Sequence, residues 1–185
     1  SRGLGDVYKR QLYARKITED GWFGKDNLDA DSVSELGTTN HELSVWKISD
    51  MSDSSLVDNV ALALALTKSK VEEFYMIFLN PSEIKKSSKW IVETAEQEGD
   101  TRYSNMKGEH VNFIVPSFWE QGYLAEYIHK LIQDEQNYLY YDAAKLKKMA
   151  YDAIKDGKLT REEIKNDGSW KRAIKEMEEI YGEIA

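Results

Sequence analysis

Cysteine is absent from the 185 residues, proline occurs twice and histidine three times. The lack of cysteine excludes disulfide stapling, a thiolate nucleophile and every sulfur-ligated zinc or iron–sulfur site. It also suits a reducing compartment such as the cytoplasm. Two prolines and 11 glycines are too few for a flexible or collagenous chain. The longest apolar run covers residues 60–66, far short of the ~18 or more residues of a membrane-spanning helix. Positive charge is also in short supply: 25 Lys and Arg stand against 33 Asp and Glu, a formal net charge of −8. Such a surface repels phosphate backbones, which argues against a protein that coats DNA or RNA. The phosphate-cradling patterns GxGxxG and GxxxxGK[ST] and the nucleophile elbow GxSxG do not occur.

Hydrophobic residues make up 41% and charged residues 31%. At this length that balance predicts one globular domain rather than two. The opening stretch, SRGLGDVYKRQ, stands apart, with three cations, several small turn formers and no apolar period. It resembles the read-through translation of a sequencing-library adapter, as found fused to open reading frames in assembled metagenomic sequence. The resemblance implies that residues 1–11 are not native, that the native message enters at Leu12 and that the domain covers residues 12–185. Leaving out Arg2, Lys9 and Arg10 together with Asp6 moves the net charge from −8 to −10. A signal peptide lost with the native start would leave no trace in residues 12–185.

LYARKI (12–17) is expected to form a first strand. Asp29 or Asp31 caps a short helix carrying Val33 and Leu36, closed by the turn over 37–42. ELSVWKIS (42–49) reads as a strand, with Leu43 and Val45 on one side and Ser44, Trp46 and Ile48 on the other. Residues 55–70 form a helix apolar on all sides, hence buried on more than one face. FYMIFLN (74–80) is a continuous apolar strand. Strand, helix and strand over 42–80 predict one parallel, right-handed βαβ unit. KWIVETAE (89–96) is a further strand. EHVNFIVPS (109–117) stays open between strand and short helix, with Pro116 favouring extended backbone before it.

The last third predicts helices over 118–133, 143–154 and 169–185, with a short one begun by the Thr160 cap and Glu163. Trp119, Tyr123, Tyr127 and Leu131 recur every fourth residue, flanked by Leu124 and Ile128. In the final helix Trp170, Ile174, Met177, Tyr181 and Ile184 form a stripe that reads as packing rather than as a cofactor shelf. The expected fold is α/β or α+β: a single domain with a small mixed or parallel sheet and a helical C-terminal third.

Four groups of residues are candidates for chemistry. Asp26, Asp29 and Asp31, with Glu93, are oxygen ligands of the kind that hold Mg or Mn, if the loop curls. DAIKDGKLTREE (152–163) can be laid on a calcium loop, with Asp152, Asp156 and Glu163 at ligand positions. Ile154 offers no side-chain oxygen there, and Lys155 and Lys158 oppose a dication. His110 follows a polar loop and is the candidate general base, although EHVNF lacks the second histidine of HExxH. Arg15 and Arg102 are the candidate anion-binding cations. A contact surface is expected from Trp22 and Phe23 in a polar loop and from Tyr138, Tyr140 and Tyr141 between helices, since aromatic side chains anchor interfaces.

Two readings of function compete. The first is a non-catalytic cytoplasmic protein that works by contact with another protein, as accessory, adaptor or inhibitor, without cofactor or membrane. The second is a Mg- or Mn-dependent phosphoester or nucleotide hydrolase using Asp29, Asp31 and His110. An acidic mimic of nucleic acid is a third, weakened by the interspersed signs of charge.

Overall fold

Six strands form one sheet in the computed structural model, which describes residues 11–37 and 40–185. Residues 1–10, the bulk of the adapter-like stretch, lie outside the described residues, as do 38–39 in the turn expected over 37–42. The strands are β1 (Leu12–Ile17), β2 (Glu42–Ile48), β3 (Phe74–Leu79), β4 (Val92–Glu93), β5 (His110–Ile114) and β6 (Tyr138–Tyr141). Their order is β4-β5-β2-β1-β3-β6, and every adjacent pair is antiparallel.

The class is α+β in one domain, but the expected mixed or parallel sheet is corrected to an antiparallel one. Strands β2 and β3 do run in the same direction, because each is antiparallel to β1. They do not pair, because β1 lies between them. β1 suits that slot: Tyr13, Ala14 and Ile17 are all fully buried, so the strand packs on both faces.

Helices cover both faces of the sheet. The first face carries Ala14, Trp46, Ile48, Phe74, Met76 and Phe78. It is covered by α2 (Ser54–Ala65), α5 (Ala143–Lys155) and α6 (Gly168–Tyr181). Asp53 caps α2 by accepting the Leu56 N–H at 3.1 Å. The run 60–66 is buried throughout, as expected of a helix lying between a sheet and a second helix layer. Trp170 ties α6 to this layer, its Nε1 donating to the Lys68 carbonyl at 3.0 Å.

The second face carries Tyr13, Ile17, Leu43, Val45, Ile77, Leu79, Val111 and Phe113. It is covered by α1 (Ala30–Ser34), α3 (Pro81–Ser87) and α4 (Phe118–Leu131). Ser117 caps α4, accepting from the Trp119 N–H at 3.2 Å and donating to Glu120 three residues on.

Other expectations need correction. The strand expected over 89–96 narrows to Val92–Glu93; beyond it the chain only touches β5, through Thr94 N–H to the Asn112 carbonyl and Gln97 N–H to the His110 carbonyl. The segment 109–117 resolves into β5, with Pro116 just past its end. YLYY is the edge strand β6 rather than a connection between helices. The short helix expected after Thr160 is a single 3-10 turn, Glu162–Ile164.

Candidate functional site

The ladder between β1 and β2 ends at Ala14 and Trp46. The Arg15 guanidinium fills the gap beyond, Nη1 donating to the Ser44 carbonyl and Nη2 to the Glu35 carbonyl, each at 2.8 Å. Its Nε is buried without a hydrogen-bond partner among the described residues. Burial pulls the Arg15 pKa down to about 10, with Glu35 opposing, so the group remains cationic at neutral pH.

The same splay opens a cleft of about 720 Å³, with Arg15, Lys16, Ser44, Lys68, Asp100 and His110 in its walls. Its charges are mixed, Glu35, Glu72 and Glu98 adding to the acidic side. Burial holds Lys16 below the ordinary lysine range, an effect that Glu72 opposes and Lys68 reinforces.

His110 opens β5 opposite Trp46 and is buried, its ring edge-on to the indole at 5.2 Å. Its Nδ1 lies 3.0 Å from the Gln97 carbonyl. A carbonyl only accepts, so in the neutral ring Nδ1 carries the proton. Nε2 is then the acceptor, and the Ser44 hydroxyl lies 2.8 Å from it. Ser44 itself is open to the cleft. The loop that supplies Gln97 can come this close because residue 99 is glycine: a Cβ there would collide with the Trp46 indole and stand 2.9 Å from the His110 Cβ.

Arg15 and His110 therefore share a cleft, whereas Arg102 does not line it. Arg102 donates from Nε to Asp167 at 2.5 Å and from Nη1 to the Leu66 carbonyl at 2.9 Å, fastening the loop after α2 to the start of α6. Of the two cations expected to bind an anion, only Arg15 lines this cleft, because Arg102 is held in an ion pair with Asp167.

The carboxylates expected around Mg or Mn do not gather. Asp29 caps α1 by accepting the Ser32 N–H at 2.7 Å, and its bonds from Ser32, side chain first and then backbone, hold its pKa below the usual range. Asp31 lies in the first turn of the same short helix. Glu93 is on β4, accepting from the Tyr13 hydroxyl and 3.8 Å from Lys47. Among the described residues, no three or more His, Asp or Glu side chains are placed to hold an ion.

The calcium-loop reading over 152–163 fails for a local reason. Helix α5 runs through Ile154 to Lys155, and Gly157 ends it at φ +72°. Asp152 pairs with Lys148 at 2.7 Å. Asp156 is the C-cap. Glu163 accepts the Thr160 N–H at 2.7 Å and the Ser104 N–H at 2.9 Å.

Two of the aromatic residues expected at an interface are core residues instead. Trp22 is fully buried, its Nε1 donating to Glu35 at 3.0 Å. Tyr141 is fully buried, its hydroxyl donating to Asp58 at 3.1 Å. Phe23 and Tyr138 pack against one another and against Tyr75. Tyr140 stays half exposed and donates to Glu73 at 2.5 Å, the bond that, with some burial, pushes its pKa up to about 12.

The most exposed aromatic residues stand on α4. Phe118 is 89% and Trp119 76% exposed at the start of α4. Tyr123, one turn on, is half exposed, and Tyr127 and Leu131 continue the row into a cleft of about 740 Å³ between α3 and α4. The centre of the buried face of α4 is Leu124, Ala125 and Ile128. The four-residue aromatic spacing therefore marked the flank of the helix and not its core side. Trp90, two residues before β4, is also 62% exposed.

The chain matches no family model, no curated protein and no solved structure.

Proposed function

We propose that this protein works by binding another protein through the aromatic row of α4: Phe118, Trp119 and Tyr123, leading to the cleft lined by Tyr127 and Leu131. The observation that carries the reading is the near-complete exposure of Phe118 and Trp119 on a helix whose start is fastened by Ser117 and Glu120. Large apolar side chains left in water on a fixed frame mark interaction sites. Such aromatic anchors contribute most when they enter a pocket on a partner. The row continues into a groove whose rim carries Glu83, Lys86, Glu126 and Lys130. An apolar segment of a partner chain with charges of both signs at its edges fits that groove. The expected setting is the cytoplasm, where a chain without cysteine loses nothing to reducing conditions. Among the described residues no helix is long and apolar enough to cross a membrane.

The test compares the wild type with a Phe118→Ala/Trp119→Ala double variant. Partners are captured from a native extract, and the purified partner is then titrated against both proteins by calorimetry. At least a tenfold loss of affinity is expected, since anchor residues each cost about 2 kcal/mol or more when truncated. Equal affinity of the two proteins overturns the reading. So does binding of the wild type to phosphatidylcholine vesicles in place of any protein.

A further inference from the structure

We propose that Ser44 and His110 form a nucleophile–base pair that opens carboxylic esters, at a site separate from the aromatic row of α4. Three observations converge on it. The Ser44 Oγ and His110 Nε2 are 2.8 Å apart. The other ring nitrogen is fixed on the Gln97 carbonyl, which sets the tautomer that leaves Nε2 free to take a proton. The hydroxyl opens into a cleft large enough for a small ligand, while the imidazole is buried behind it. A hydroxyl nucleophile, a base within hydrogen-bond reach and a third group that orients the base are the parts an acyl transfer needs. Here a backbone carbonyl takes the place of an orienting carboxylate.

The chemistry balances without metal or redox partner. Ser44 Oγ bonds to the ester carbonyl carbon while its proton passes to His110 Nε2. The tetrahedral adduct collapses, the bond to the alcohol oxygen breaks, and Nε2 returns the proton to the leaving alkoxide. A water molecule then attacks the acyl-serine, giving its proton to Nε2, which passes it to Ser44 Oγ as the acid departs. One ester and one water become one acid and one alcohol. Arg15, bonded to the Ser44 carbonyl at 2.8 Å, is a fixed positive charge in the same cleft as the ester oxygen that becomes negative. Lys16, Lys68, Glu35, Glu72, Glu98 and Asp100 make the walls charged, so the substrate class is a small polar ester rather than a long-chain lipid.

The probe is a fluorophosphonate with a short polyethylene glycol tail, followed by intact-mass and peptide mass spectrometry. One adduct per chain, located on Ser44, is expected for the wild type and none on that peptide for Ser44→Ala. Ser44 is an exposed residue, so that variant should keep the fold. With His110→Gln, folding checked by its thermal melt, labelling slows by roughly 100-fold or more, the usual contribution of a general base. Absence of an adduct on Ser44 overturns the proposal. So does labelling that proceeds at the same rate in a folded His110→Gln protein, or, if that variant melts, a wild type that turns over 4-nitrophenyl acetate no faster than Ser44→Ala.

Discussion

Helices α2 and α4 lie on opposite faces of one sheet and differ in where their large apolar side chains go. α2 hides everything from Val60 to Ala65 between the sheet and the α5–α6 layer. α4 commits Leu124, Ala125 and Ile128 to the core, and leaves Phe118, Trp119 and half of Tyr123 in water. Both helices are capped, so neither arrangement follows from a frayed end. The difference lies in layering. α2 packs against α5 as well as against the sheet, whereas nothing among the described residues covers the outer flank of α4 at its start. Apolar residues on the first helix hold the fold, whereas on the second only the inner ones do, and Phe118 and Trp119 stand in water.

The largest expected effect tests the covered side. Trp170→Ala removes a fully buried indole and its bond to the Lys68 carbonyl. It should cost about 3–5 kcal/mol in urea unfolding. A loss under about 1 kcal/mol would mean that the outer layer contributes little, and the contrast would fail.

Alkaline pH tests both faces together. Tyr141 on the α2 side and Tyr13 on the α4 side both have raised pKa values. Burial is the main cause for each, reinforced by Asp58 and by Glu93 respectively. Unfolded phenols ionise near about 10. Above that pH the unfolded chain loses protons that the folded one keeps, so the stability contribution is complete below pH ~10 and declines as pH rises towards the folded values. Melting temperature should be level from about pH 8 to 9.5 and fall by pH ~11. A flat profile to that point would show that neither hydroxyl is shielded as described.

The smallest expected effect sharpens the contrast. Phe118→Ala and Trp119→Ala should each leave stability within about 0.5 kcal/mol of the wild type in the same urea assay. A loss above about 2 kcal/mol would turn these side chains into structural ones and remove the basis for the proposed binding surface.

The strands β1, β2 and β3 and the helices α2, α4, α5 and α6 were legible because each rests on a local period or cap. Sheet order was not, since no residue of LYARKI states that its neighbours will be two strands further along the chain. Asp29 was legible as a cap and Thr160–Glu163 as a capping pair. His110 stood out from its setting. Its partner did not: alternation along β2 puts Ser44 on the same side as Trp46, but only the β2–β5 register sets that hydroxyl beside an imidazole 66 positions away. Trp22 and Tyr141 were misjudged because the polar residues around them are short turns folded over the core and an edge strand, not an open surface.

The central position of β1 also governs how the chain can assemble. This strand is synthesised before either of its neighbours, and the second of them emerges only after α2 has been made. Residues 18–41 separate it from β2 and residues 18–73 from β3, so no tight hairpin can seed the middle of the sheet. Closure depends on contacts distant along the chain, and such topologies are slow to form. A nascent chain arrested before residue 79 would therefore hold a helix rich in leucine and alanine with only part of its platform beneath it.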